Sequence, residues 1–157
     1  MSEAFKRALL VTLVALVGMQ ACDRKQAGSE DPTGRLTGYI NKSFSVKGAE
    51  DKQELLSFLT GDAKTRLASW SDEQFRQAFV ESKRSMGKLL IRETKNVSPD
   101  EVNITYELSY TDQAKGKDVK VTNKKLCQLI REQGKWYIRD VRNIKELIEY
   151  KDEMSLP

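Results

Sequence analysis

Two cysteines, five tyrosines and 23 carboxylates are the groups with which this 157-residue chain could do chemistry, and it contains no histidine. Without imidazole it lacks the side chain that most often moves protons near neutral pH and most often ligates metals. Acid–base work would fall to a carboxylate paired with a tyrosine, one accepting a proton while the other donates. Tyr106 and Tyr110 flank Leu108 at a spacing of two, so all three share one face of a strand. Glu93 and Glu107 are the acidic residues of the neighbouring strand positions, and their parity sets them on the opposite face. Cys127 lies in the apolar run Leu126-Cys127-Gln128-Leu129-Ile130. A thiol there reads as a small buried hydrophobe, with no histidine to activate it. No phosphate loop, metal-ligand spacing or nucleophile elbow is present. The sequence therefore assigns no catalytic residue, no metal ligand and no cofactor.

Cys22 stands in a different context. Lys6 and Arg7 precede an apolar run from Ala8 to Val17, and Gly18-Met19-Gln20-Ala21 leads into Cys22. The run has about ten residues, the length of a signal-peptide core, where a spanning helix needs roughly 20. The small Ala21 suits a cleavage site. Residues 1–21 are thus expected to be an export signal. Residues 22–32 are small and polar, and are expected to form a tether with a reach of roughly 15–20 Å.

Met19-Gln20-Ala21-Cys22 resembles a bacterial lipobox. That resemblance implies a diacylglycerol thioether on Cys22, cleavage before it and acylation of the new amine. Two or three acyl chains make a stable membrane anchor. The implied address is the bacterial cell envelope, with the domain in the periplasm. Asp23 resembles the inner-membrane retention signal of enteric bacteria, and inner and outer membrane both stay open.

Residues 33–157 are enough for one domain. A formal net charge of +4 is a soluble surface, not a nucleic-acid footprint. Leu36, Tyr39, Ile40 and Phe44 share one face of a helix expected over 33–46. Asp51 and Glu54 have capping-box spacing, Leu55, Leu56, Phe58 and Leu59 follow as a buried side, and Gly61 reads as a helix stop. A short helical turn carries Ala63, Leu67 and Ala68. Ser71 and Gln74 form a second capping box, Trp70 and Phe75 a hydrophobic staple. That helix is expected to end at Gly87.

The period then changes to two. Strands are expected at 88–95, at 102–110 with strict alternation, at 119–131 with a bulge near Leu126, and at 135–141. Ile144, Leu147 and Ile148 suggest a short closing helix. Helices followed by an antiparallel meander make an α+β domain, its N-terminal helices packed on a curved sheet of about four strands. Lys115, Lys117, Lys120, Lys124 and Lys125 form a basic hairpin that suits either a solvated edge or anionic headgroups.

This order of elements, with Arg131-Glu-Gln-Gly-Lys-Trp-Tyr-Ile138 turning into the last strand, resembles the nuclear-transport-factor-two-like (SnoaL-like) superfamily. The resemblance implies a cone-shaped, cystatin-like fold with a pocket between helices and sheet. Tyr106, Leu108, Tyr110 and Trp136 are the residues placed to line it. The expectation is a membrane-anchored, non-catalytic module that binds an envelope protein or an apolar small ligand and no nucleic acid. A small lyase- or isomerase-like enzyme with a carboxylate–tyrosine pocket is the alternative.

Overall fold

The computed structural model describes residues 31–150, so the export signal and Cys22 lie outside the described residues. Asp31 caps α1 (Pro32–Phe44) by accepting from the Gly34 amide at 2.8 Å, with Pro32 at the first helical position. Proline there loses no hydrogen bond and presets the helical φ. The helix thus begins at the last residue assigned to the tether, one residue earlier than the expected start at 33. A 3₁₀ turn (Ala49–Asp51) leads into α2 (Lys52–Ser57), followed by α3 (Gly61–Ala68) and α4 (Asp72–Phe75), which continues as a π turn over Arg76–Val80. Among the described residues no helix is long and apolar enough to cross a membrane.

Four strands follow, β1 (Arg84–Ser98), β2 (Glu101–Asp112), β3 (Lys120–Glu132) and β4 (Lys135–Glu149), in the antiparallel order β1-β2-β3-β4. The α+β class and the strand count are as the sequence predicts. Gln133 and Gly134 join β3 to β4 with φ of 51° and 81°. Two consecutive positive φ values suit the right-handed twist of a two-residue hairpin. β2 alternates without a break, with Val102, Ile104, Tyr106, Leu108 and Tyr110 all buried. They meet Leu36, Ile40, Leu55, Leu59, Leu67 and Phe75 from the helices and Val121, Cys127, Leu129 and Ile138 from β3 and β4. α1 and α3 lie on β4, and α1 reaches β1. One sheet face is therefore covered by helices and the other is open.

The Ser71–Gln74 capping box forms, at 3.1 and 2.9 Å. The Trp70 ring meets Phe79, with centroids 6.1 Å apart, and Phe79 in turn stacks on Phe75 at 4.8 Å. Several expectations are corrected. Asp51 does not cap α2: its carboxylate accepts from Lys42 Nζ and the Lys47 amide, both at 2.7 Å, while Glu54 pairs with Lys42 at 2.6 Å. Gly61 does not end a helix but opens α3. Gly87 lies inside β1, which begins at Arg84, and is the extra residue of a bulge between Met86 and Lys88. A Cβ there would stand 3.0 Å from the Ser109 carbonyl oxygen, so the close approach of β2 favours glycine.

The expected closing helix is instead the second half of β4, which runs to Glu149. The bulge expected near Leu126 lies on the partner strand. β3 pairs with β2 in unbroken register, while β4 carries extra residues at Arg139 and Ile144. β1 has them at Gly87, Arg92 and Val97. The two central strands are regular and both edge strands are bulged, a common protection against edge-to-edge pairing.

Candidate functional site

Tyr106, Leu108, Tyr110 and Trp136 all lie buried on the covered face. The structure does not bring the four together. Tyr110 pairs with Val121 at one end of β3, and Trp136 pairs with Arg131 at the other. Ten residues of strand separate those two positions, about 33 Å. The Arg131 guanidinium lies 5.5 Å from the Trp136 ring centroid, and the two cover the β3–β4 hairpin end of the core. Tyr106 and Leu108 sit in the middle of the core. Burial, reinforced by the nearby Cys127 and Tyr39, pushes the Tyr106 phenol well above its ordinary range, so it stays protonated.

Tyr110 has a different setting. Its hydroxyl accepts from Asn123 Nδ2 at 3.2 Å, which leaves its own proton to donate. The ring packs against Phe44 of α1, centroids 5.9 Å apart, and the Arg84 guanidinium lies 5.9 Å from its centroid. Arg84 also donates to the Ala78 carbonyl of the π turn. Beside this cluster a cavity of about 150 Å³ opens between the end of α1 (Ser43, Phe44, Val46), the π turn and its exit (Phe79, Val80, Ser82) and Arg84.

Sequence reasoning missed the polar residues that β3 turns toward the helices. The covered positions of β3 are Val121, Asn123, Lys125, Cys127 and Leu129, a constant parity. Two of the five are polar, and Leu126 and Ile130 are apolar on the open face. That exchange mimics a phase shift. The usable signal was the parity of β2, whose register fixes that of β3. Asn123 is 4% exposed, and its Oδ1 has no hydrogen-bond partner among the described residues. Lys125 stands opposite Tyr106 and Asn143. Desolvation lowers its ammonium below the ordinary lysine range, repulsion from Arg84 adds to this, and Glu146 opposes it. Arg84 can meet an anionic group at the cavity, and the Asn123 Oδ1 can accept from a hydrogen-bond donor.

The groups considered for catalysis are not assembled. Glu93 pairs with Thr105 and Glu107 with Lys124, both on the open face, away from the tyrosines. Arg92, at 2.6 Å, holds the Glu107 carboxyl below its ordinary range. Cys127 is buried, and desolvation together with the charge of Asp140 pushes its thiol up to about 12. Its thiolate is therefore scarce at neutral pH. Among the described residues no group of three or more His, Cys, Asp or Glu could hold a metal ion. The basic hairpin is divided: Lys120 and Lys124 point to the open face and Lys125 to the covered one.

No family model matches the sequence, and no curated protein does. Among solved structures, the chain is similar to a SEC-C motif containing protein from Rhodopseudomonas palustris, solved in solution. The TM-score is 0.52 at 11% identity, over 75% of this chain and 82% of that one. It is also similar to a computationally designed 17-OHP binder, with a TM-score of 0.42 at 9% identity over 73% of this chain and 98% of that one. At such identities the likeness to the first is one of fold alone.

Proposed function

We propose that this chain is an exported lipoprotein, held on a bacterial envelope membrane by lipid on Cys22, whose domain is a non-catalytic binding module in the periplasm. In this reading the domain is a cystatin-like cone, and the bulges that bend β1 and β4 support it. The observation that carries the binding role is Asn123, nearly fully buried with its Oδ1 unpartnered beside Tyr110. A buried acceptor left without a donor is costly, and a ligand's donor removes that cost. Phe44, Phe79 and Val46 offer an apolar wall, and Arg84, lining the same cavity, favours an acidic head. The ligand class is a small, largely apolar molecule with one polar end, or a chain segment of an envelope protein with the same chemistry.

Two measurements test this. Lipid labelling of the native chain beside Cys22→Ala supports the anchor if only the native chain is labelled, and label on neither overturns it. Native mass spectrometry of the protein purified from its source bacterium tests the site. A retained small molecule that Arg84→Gln releases supports a ligand site. An empty chain that crosslinks to no envelope protein overturns the binding role.

A further inference from the structure

The free edge of β4 beyond its last bulge is regular and uncovered among the described residues. β1, the other edge strand, carries bulges at Gly87, Arg92 and Val97, so no regular run exceeds four residues. β4 is protected in its first half, where Leu59 bridges to Ile138, the Thr60 amide donates to the Ile138 carbonyl at 2.9 Å, and Arg66 pairs with Asp140. After Ile144 no bulge interrupts the strand, and among the described residues no backbone bond reaches its outer side. Ile144, Leu147 and Tyr150 stand here, 54%, 48% and 62% exposed, three of the few large apolar side chains left in solvent.

We infer that Lys145–Tyr150 is a self-association edge, joined antiparallel to the same segment of a second copy about a twofold axis at Leu147. The register follows from symmetry and charge. A twofold axis normal to the sheet preserves faces, so each residue must meet one of its own parity. Centring on Glu146 sets two carboxylates against each other. Centring on Ile148 sets Leu147 against Glu149. Centring on Leu147 sets Leu147 against Leu147, Lys145 against Glu149 twice, and Ile144 against Tyr150. The outward-facing backbone fits as well. The amide and carbonyl of Ile138 point to the free edge, and carrying the alternation through the two bulges turns those of Glu146 and Ile148 the same way. In this register Glu146 and Ile148 exchange hydrogen bonds across the axis.

Lys145 gives a second reason. It lies directly opposite Lys124 on the open face; Lys124 has Glu107 opposite it on β2, whereas Lys145 has no carboxylate within ion-pair distance among the described residues. Like charges directly opposed in a ladder destabilise it. Glu149 of a second copy, which in its own chain pairs with Lys120 at 3.5 Å, reaches Lys145 from the other side and offsets its charge.

The test is sedimentation of the purified full chain together with disulfide trapping in a chain carrying Cys22→Ala. Residues in a non-hydrogen-bonded antiparallel pair have Cα atoms about 4.5 Å apart, within disulfide range. Leu147→Cys is therefore expected to form a covalent dimer on mild oxidation, and Glu146→Cys, which faces Ile148, is not. Lys145→Glu is expected to weaken the dimer roughly tenfold, because two symmetric pairs change sign, and adding Glu149→Lys restores it. The parent remaining monomeric at about 100 μM overturns the inference, as a dimer of that affinity would be weak by any scale. Equal trapping of both cysteine variants overturns the register. Capture of a different protein by this edge while the parent stays monomeric overturns self-pairing.

Discussion

Replacing Lys125 by methionine is expected to make the domain more stable. Lys125 occupies a covered position of β3, opposite Tyr106 and Asn143, and no carboxylate lies within ion-pair distance of it among the described residues. Methionine keeps an apolar stem of similar volume and removes the ammonium. A fully buried unpaired charge costs several kcal/mol. Lys125 retains partial contact with water, and after discounting for that screening about 1 kcal/mol remains. For a domain of this size that is about 4 °C in Tm. The pH dependence provides an independent check. Desolvation and Arg84 lower the folded-state pKa below the ordinary lysine value. Between the lowered value and about 10.4 the unfolded chain binds more protons than the folded one, so stability rises with pH across that window. The advantage of Lys125→Met over the parent must therefore be full at pH 7 and shrink toward pH 10. Urea titrations at pH 7, 8, 9 and 10 measure it. A parent more stable than the variant at pH 7, or a gap that does not change with pH, refutes the reasoning.

Ser71→Ala removes half of a formed capping box and is expected to cost about 1 kcal/mol, read as a lower urea midpoint at unchanged slope. Asp140 is held below the ordinary aspartate range by Arg66 and then Arg142. Its contribution is present above about pH 4 and lost as pH falls through the lowered value, so Asp140→Asn must lose stability at pH 6 and match the parent under strong acid, as acid titration of both proteins will show. In a Cys22→Ala chain, Cys127 is the remaining thiol. A thiol-specific chromophore at pH 8 should leave it unmodified while folded and react fully in denaturant, given its burial and its raised pKa.

Much of the fold was legible because local signals agreed with tertiary demands. The Leu36–Ile40 face is buried as its spacing requires, Ala63 and Leu67 face the core, and the alternation of β2 survives intact. The misreadings have specific causes. Ile144, Leu147 and Ile148 have helical spacing because a bulge at Ile144 shifts the phase of a strand. A strand with one extra residue reads like a turn of helix. Gly87 looked like a stop because close approach to Ser109 and helix termination both call for glycine. Asp51 had capping spacing, but Lys42 and the Lys47 amide use its carboxylate. Of the candidate site, Tyr110 was readable from β2. Asn123 and Lys125 were not, because a polar residue on a covered face violates the pattern from which burial is inferred.

The meander has a kinetic consequence. Every strand pairs with its neighbour in sequence, across connections of two residues at Pro99–Asp100, seven at 113–119 and two at Gln133–Gly134. Short closures lose little chain entropy, so the sheet is a product of local, fast events. The distant event is the docking of the N-terminal helices onto the last strand, tied down where Leu59 bridges to Ile138 and Thr60 bonds its carbonyl. Strand β4 leaves the ribosome after the other three strands, and α1–α3 leave before any of them. The helices must therefore wait, apolar faces uncovered, until β4 has been made, and a chaperone that holds the chain should find its site in 36–67, not in the strands.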